Sequence, residues 1–332
     1  MVWHTRPVRE IVIFSGSAHP ALAQRICDSS GVPLSDSSVA RFSNGCMQVQ
    51  LLENCREADV FIIQPLVPPV DEYLVELFQM LDAARGASAS RVTAVIPYFG
   101  YARSDKKDAP RISIAGRLMA DLLVASGANR VLTMTLHAPQ VHGFFSVPVD
   151  HLSALHILAE HFKDDDLSDS VVVSPDLGRA KDAASFGRLL NLPVAAGNKR
   201  RVSDEKVEID TIVGDVRGRR AIVLDDEIAN GGTILELLDC LAAHGATSAS
   251  IVCTHGLFTG PALERLQGLD AVTEWITTDT VPHDAHAGLR GIQVLSVAPL
   301  LGEAIRRIHH GESVSSLFAL PEWSGHLQER GE

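Results

Sequence analysis

Asp225 and Asp226 stand side by side in IVLDDEIANGGTILELLDCLAA, between an apolar run and the series Asn230, Gly231, Gly232, Thr233 that opens an amphipathic pattern. Each residue type suits one task. The unpaired N–H groups and positive dipole end of a helix start favour a phosphate, and glycine lets the backbone approach it closely. Neighbouring carboxylates accept hydrogen bonds from vicinal sugar hydroxyls, so one such loop can hold a pentose phosphate at both ends. Burying two carboxylates would be costly. Strand ends in doubly wound sheets face a ligand crevice, however, so neither needs to be buried. The plainer alternative is that Asp225 and Asp226 only form a turn and Thr233 only caps a helix.

Other stretches also concentrate chemistry. PYFGYARSDKK sets Arg103, Lys106 and Lys107 around Asp105, and its cationic donors suit a polyphosphate; a solvated charge run is the alternative. RVLTMTLHAPQVHGFF carries His137 at the end of an apolar run, and SVVVSPDLG carries Asp176 in the same way. The segment GNKRRVSDEKVEIDTIVGDVRGRR is more charged than its surroundings and lacks a long apolar period. It reads as an exposed loop or hairpin between strands, where mobile functional groups usually sit.

Short apolar runs position these residues. EIVIFSG, ADVFIIQPL, RVTAVIPYF and RVLTMTLH precede SVVVSPD, RRAIVLDDE, SASIVCTHG and AVTEWITTDT, with DEYLVELFQMLDAA, AGRLMADLLVASGA, GRAKDAASFGRLL and GGTILELLDCLAA between them at helical spacing. Strands buried on both faces with crossover helices predict an α/β fold of two doubly wound, mostly parallel sheets. A chain of 332 residues with 46% hydrophobic content is long enough for two domains. The boundary is expected near Asp150, where VPVDHLSALHILAEHF begins a helix. AGRLMADLLVASGANRVLTMTLH and ILELLDCLAAHGATSASIVCTHG also resemble each other, which hints at duplication.

A net charge of −12 excludes a broad nucleic-acid or anionic-membrane surface. The cysteines Cys27, Cys46, Cys55, Cys240 and Cys253 form no CxxC pair and suit free thiols in a reducing compartment. With no continuous apolar signal core near the start, the chain reads as cytoplasmic and soluble.

The 225–233 stretch resembles the phosphoribosyl-diphosphate loop shared by phosphoribosyltransferases and ribose-phosphate diphosphokinases. PYFGYARSDKK and TLHAPQVHGFFSVPVDHL, with RFSNG, SPDLG and NKRR, resemble the second family, the phosphoribosyl pyrophosphate synthetases, from FSGSAHPALA to ESVSSLF. The chain is identified as a divergent member. The resemblance implies two phosphoribosyltransferase-like domains at 1–150 and 151–302, with 303–332 packing back on the first. It implies transfer of the diphosphoryl group of ATP to the C1 hydroxyl of ribose 5-phosphate, with Mg2+. It places Phe42 and Asn44 at adenine, on a loop that reaches a neighbouring subunit, and Arg103, Asp105 and Lys106 at the nucleotide. His137 and Asp176 hold magnesium-nucleotide, directly or through water. Lys199 and Arg201 form the basic pair of a mobile catalytic loop. Asp225, Asp226, Asn230, Gly231, Gly232 and Thr233 take ribose 5-phosphate. Arg56, Ser313, Ser315 and Phe318 match a phosphate-responsive regulatory site. A shared adenine site implies a homo-oligomer built from dimers, a hexamer being one such assembly. No nucleic-acid polymer and no membrane is implied.

The pattern is broken in places. Ala229 stands where many synthetases have a third acidic residue of the ribose loop, and Glu227 adds a carboxylate nearby. Cys46 replaces a usual glutamate, Ser104 a glutamine, Thr135 an acidic residue and Gly86 an arginine. These departures leave two other readings: a catalytically weakened, synthetase-associated regulatory subunit, and a synthetase with altered pentose-phosphate or nucleotide specificity. A true phosphoribosyltransferase would explain the glycine pair but leaves YARSDKK and LHAPQVHGFF unused.

Overall fold

The computed structural model describes residues 10–201, 207–282, 289 and 291–317. Their contacts group them into two compact units, one formed by the chain through Leu152 together with the chain from Ala298 onward, the other by Ser153–Val297.

In the first unit β1 (Ile11–Ser15) leads to α1 (Pro20–Ser30), a short β2 (Leu34–Ser35), and an antiparallel ribbon of β3 (Ser37–Arg41) and β4 (Met47–Leu51). Then come β5 (Asp59–Ile63), α2 (Val70–Gly86), β6 (Arg91–Ile96), α3 (Ala115–Ser126), β7 (Arg130–Met134) and β8 (Val149–Leu152). Its main sheet has the parallel order β2-β1-β5-β6-β7-β8. The second unit runs α4 (Leu155–Glu160), β9 (Ser170–Ser174), α5 (Ala180–Leu190), β10 (Val194–Arg201), β11 (Val207–Val213), β12 (Arg220–Ile228), α6 (Gly232–Ala243), β13 (Ser248–Gly256), α7 (Ala262–Leu266), β14 (Val272–Thr278) and β15 (Ile292–Leu295). Its sheet order is β11-β10-β9-β12-β13-β14-β15, with β11 antiparallel to β10. DVFII in β5 and SVVVS in β9 are buried along their whole length. A strand with no polar face requires helices on both sides of its sheet, which is the predicted doubly wound arrangement.

The chain returns to the first unit through α8 (Ala298–His310), whose Leu301, Ala304, Ile305 and Ile308 form the buried stripe of a surface helix. Gly302 allows close packing on α1: a Cβ there would lie 3.3 Å from the Ile26 carbonyl oxygen. The end of α8 is pinned to the sheet. Asp59, 1% exposed, pairs with the Arg91 guanidinium through Oδ1 and Oδ2 and lies 2.9 Å from His309 Nδ1. Arg91 also donates to the Ile308 carbonyl at 3.0 Å.

Each sheet has one place where the chain first extends to one side and then to the other, between β1 and β5 in the first unit and between β9 and β12 in the second. Ligand crevices open at the carboxyl ends of strands at such reversals. In the first unit the loop after β1 is met by the protein's own side chains. The Ser17 N–H donates to Glu76 at 2.6 Å and its hydroxyl to the same carboxylate. The Ala18 N–H donates to Gln64 Oε1 at 3.1 Å, and the Gln64 amide donates to the Tyr73 carbonyl. Both Gln64 and Glu76 are buried.

Several elements differ from their sequence reading. β7 stops at Met134, so His137 lies in the following loop rather than on a strand. VDHL forms the edge strand β8 before the helix begins at Leu155; four residues are too few for a period to show. The charged segment after Ala196, by contrast, agrees with the hairpin alternative of its reading: it pairs antiparallel, Ala196↔Val213 through Arg201↔Val207, with a register shift between Asn198 and Lys199. β12 continues through Ile228, so Asp225 and Asp226 lie within the strand. Cys27, Cys55, Cys240 and Cys253 are buried free thiols and Cys46 an exposed one; burial pushes Cys27 up to about 11 and Cys253 to about 12. Among the described residues no helix is long and apolar enough to cross a membrane.

Glu76→Gln keeps the volume at this position but replaces a charged acceptor by a neutral one against two Ser17 donors. It is expected to cost about 1–3 kcal/mol of stability, read as a lower urea midpoint by circular dichroism.

Candidate functional site

In the second unit β9 and β12 end side by side at the reversal, paired Val172↔Ile222 and Val173↔Val223. Asp176 follows β9, and Asp225 and Asp226 lie near the end of β12. Asp176 caps the short turn Leu177–Arg179 by accepting the Arg179 N–H on Oδ1 at 3.0 Å, while its carbonyl accepts the Ser174 hydroxyl at 2.6 Å. The Arg179 guanidinium pairs with Asp226 Oδ2 and with Asp182 Oδ2 at 3.3 Å. Two predicted acids, Asp176 after β9 and Asp226 within β12, thus meet on one arginine.

This corrects one expectation. Asp226 is 6% exposed, so one of the carboxylates is buried after all, and the guanidinium offsets the desolvation of its charge. Asp225 accepts the Asp226 N–H at 2.9 Å. Its carboxyl is pushed well above the ordinary range, first by burial and then by the charge of Asp226, with Arg179 acting in the opposite direction.

The turn from β12 to α6 is built by Gly231, whose φ of 75° is left-handed. A Cβ there would also come within 3.0 Å of Leu266 Cδ1. The Asn230 side chain accepts the Gly232 N–H at 3.1 Å. The carbonyls of Ile228 and Ala229 are held from outside by the N–H groups of Leu257, Phe258 and Thr259, at 2.9 to 3.0 Å. Thr233 is not the helix cap: Gly231 holds that position, with no side-chain cap bond. Unoccupied N–H groups at a helix start beside acidic acceptors can bind an anion at one end and hydroxyls at the other.

In the first unit Arg103 ends the turn Gly100–Arg103 and is exposed. A Cβ on Gly100 would lie 2.7 Å from the Leu66 carbonyl oxygen, so this turn needs glycine. Asp105 accepts the Gln140 side-chain amide, which joins this connection to the turn Pro139–Phe144 just after His137. Lys106 lies 3.9 Å from Asp108. Ser104 accepts the Ala115 N–H at 3.0 Å and so starts α3. The stretch before His137 is strained: Thr135, a β-branched residue, has φ 42°. It is held by the Thr135 N–H donating to the Leu152 carbonyl at 2.9 Å and the Leu136 N–H donating to His151 Nε2 at 2.8 Å.

Phe42 and Asn44 lie on the separate β3–β4 ribbon; Phe42 is 55% exposed, and Asn44 accepts the Cys46 N–H at 3.0 Å. Arg41 on the ribbon pairs with Glu72 on α2. Arg56 is exposed and reaches Ser88 Oγ at 3.5 Å. Ser313 accepts Arg307 on its carbonyl at 3.1 Å and the Ser315 N–H on its hydroxyl at 3.2 Å. Phe318 lies outside the described residues, as do the side chains of Lys199 and Arg201, although their backbone belongs to β10. Sequence reasoning missed Arg179, Gln140 and His151. All three stand inside quoted stretches, but no spacing marks them, and Arg179 meets Asp226 only through the fold.

A sequence profile for the N-terminal domain of ribose phosphate pyrophosphokinase matches residues 11–127, and one for the phosphoribosyl synthetase-associated domain matches residues 199–319. A curated putative ribose-phosphate pyrophosphokinase of Streptomyces coelicolor is 61% identical across 94% of this chain and 98% of its own length. A ribose-phosphate pyrophosphokinase of Deinococcus radiodurans is 50% identical across 93% and 98%. The crystal structure of phosphoribosylpyrophosphate synthetase from Mycobacterium smegmatis matches with a TM-score of 0.85 at 36% identity, over 91% of this chain and 100% of that one.

Gly231→Ala is expected to cost about 1–3 kcal/mol because it strains a left-handed residue and presses on Leu266. Gly232→Ala should stay within about 0.5 kcal/mol, as typical of unconstrained sites; urea denaturation of both variants compares them. Asp225→Asn removes a carboxylate whose ionised form is disfavoured by folding. A folded pKa raised above the unfolded value makes the native chain lose stability as pH rises through it. Asp225→Asn should therefore melt higher than the native protein at neutral pH, and that gain should shrink as pH falls toward the ordinary carboxylate range.

Proposed function

The chain belongs to the ribose-phosphate pyrophosphokinase family, and from that membership we propose that it transfers the diphosphoryl group of ATP to ribose 5-phosphate, giving 5-phosphoribosyl diphosphate and AMP. The observation that carries the reading is the 225–233 turn: a left-handed glycine and open helix start following acidic residues at the strand-order reversal. On this reading Gly231 and Thr233 offer donors to the 5-phosphate, Asn230 fixes the turn by accepting the Gly232 N–H, and Asp225 with Asp226 receives the ring hydroxyls. The C1 oxygen attacks the β-phosphorus in line. The bond from that phosphorus to the α-phosphate oxygen breaks, AMP departs, and no covalent enzyme intermediate is needed.

Lys199 and Arg201 are assigned the neutralisation of charge between the attacking and leaving oxygens. Arg103, Asp105, Lys106 and His137 are assigned to the nucleotide, and Phe42 with Asn44 to adenine in a neighbouring subunit, a role that the exposed Phe42 ring suits. This makes the enzyme a cytoplasmic homo-oligomer built from dimers. Arg56, Ser313, Ser315 and Phe318 are assigned to phosphate-responsive regulation.

Magnesium fits the donors present: Asp176 offers the hard carboxylate oxygens this ion takes, whereas the His137 imidazole suits a phosphate or a bound water better. What the ion supplies when bound is charge neutralisation on the polyphosphate.

Purified protein with ATP, ribose 5-phosphate and magnesium should release AMP. Lys199→Ala should lower that rate by about 10²–10³, the cost of one lost transition-state donor, and still bind ribose 5-phosphate. No AMP from the native protein with any of several pentose phosphates and nucleoside triphosphates would overturn the enzyme reading in favour of a regulatory subunit.

A further inference from the structure

The backbone of the proposed sugar-phosphate turn is steered from one side. β12 pairs with β9 as far as Val223↔Val173, but with β13 as far as Ile228↔Gly256. The segment after β13 prolongs this hold: the Leu257 and Phe258 N–H groups donate to the Ile228 carbonyl at 2.9 and 3.0 Å, and the Thr259 N–H to the Ala229 carbonyl at 2.9 Å. In a trans peptide the carbonyl and the following N–H point in opposite directions. Anchoring these two carbonyls on the β13 side therefore turns the Ala229 and Asn230 N–H groups away from it and sets the entry to the left-handed Gly231.

The anchor is itself under strain. Phe258 has φ 44°, a left-handed conformation that is costly for a bulky side chain and persists only where its surroundings over-determine it. Here they do. The residue is 5% exposed, and its ring meets Trp275 edge-on, with centroids 6.3 Å apart and planes at 83°. It shares an apolar cluster with Ile228, Ile234 and Leu266, and Leu266 is the side chain against which Gly231 packs. One block of side chains thus fixes both the clamp and the turn. A glycine would adopt the same backbone shape at lower cost, so the ring is what phenylalanine adds.

We propose that Phe258 is a positioning residue for ribose 5-phosphate: its buried ring holds a strained clamp on the Ile228 and Ala229 carbonyls, which keeps the 225–233 turn in the shape that grips the 5-phosphate. The inference rests on the function proposed above. Phe258 acts through the turn. Loss of the ring weakens the grip on the sugar phosphate and spares the nucleotide, which is assigned to other residues.

AMP release by the full chain in magnesium, with ribose 5-phosphate and ATP each varied at saturation of the other, tests this in native protein, Phe258→Ala, Phe258→Gly and Phe258→Leu, with thermal melting alongside. Phe258→Ala should raise KM for ribose 5-phosphate at least about fivefold and leave KM for ATP within about twofold, the pattern of lost ground-state binding at one substrate. Phe258→Gly, relieved of the left-handed strain, should melt above Phe258→Ala and yet show a KM for ribose 5-phosphate at least as high. Phe258→Leu, which keeps an apolar anchor, should recover most of the loss. Phe186→Leu, a truncation of a buried ring that packs on Phe162, should lower the melting temperature and raise neither KM. A rise below about fivefold in Phe258→Ala and Phe258→Gly overturns the proposal. So does an equal rise in both KM values, or a KM for ribose 5-phosphate that follows melting temperature across the four variants, because a general structural brace would behave that way. If Phe258→Ala does not fold, Phe258→Gly and Phe258→Leu decide by the same criteria. Native protein that releases no AMP with ribose 5-phosphate would instead remove the enzyme reading, and Phe258's role with it.

Discussion

Charge and open hydrogen-bond donors at the carboxyl ends of buried parallel strands are the constraint around which both units are organised. These ends cannot be left as the backbone makes them, because unpaired polar groups in a dry interior are costly. The two units solve the problem differently. In the first, the amides after β1 are met by Gln64 and Glu76, buried side chains of the same unit. In the second, Asp226 is met by a guanidinium, and the helix start after Gly231 has no side-chain cap. One reversal point is closed from within, while the helix start at the other has no side-chain cap.

The opposite ends of the strands show a shared device. At the start of β6, Arg91 bridges Asp59 and the end of α8, with His309 on the same carboxylate. At the start of β12, Arg220 pairs with Glu274 and donates to Ser250 at 2.9 Å, and His161 lies 3.1 Å from the same glutamate. Arg220 also lies over the Phe162 ring, 5.8 Å from its centroid. In each unit an arginine, an acid and a histidine tie a flanking helix to the amino ends of the strands.

Much of this was legible in the sequence, for physical reasons. A strand buried on both faces must be apolar throughout, so β1, β5, β6, β9, β12 and β13 announced themselves, as did helices α2, α3, α5 and α6. The glycine turn was legible because few residues other than glycine adopt the left-handed φ found at Gly231. What escaped had no period to read. β2 has two residues and β8 four. Arg179 escaped for another reason: its importance comes from meeting Asp226, which is remote along the chain, and pairing of this kind is a property of the fold rather than of spacing. The burial of Asp226 followed from the same contact.

The route of the chain has a consequence for how the molecule is made. The first unit takes its last helix, α8, from beyond Ser153–Val297, and α8 packs on α1, near the other end of the sequence. During synthesis the ribosome must therefore deliver the whole intervening unit before the stripe of Leu301, Ala304, Ile305 and Ile308 can cover its place. Until then the nascent first unit exposes apolar surface that the finished protein hides, the kind of surface through which partly folded chains aggregate.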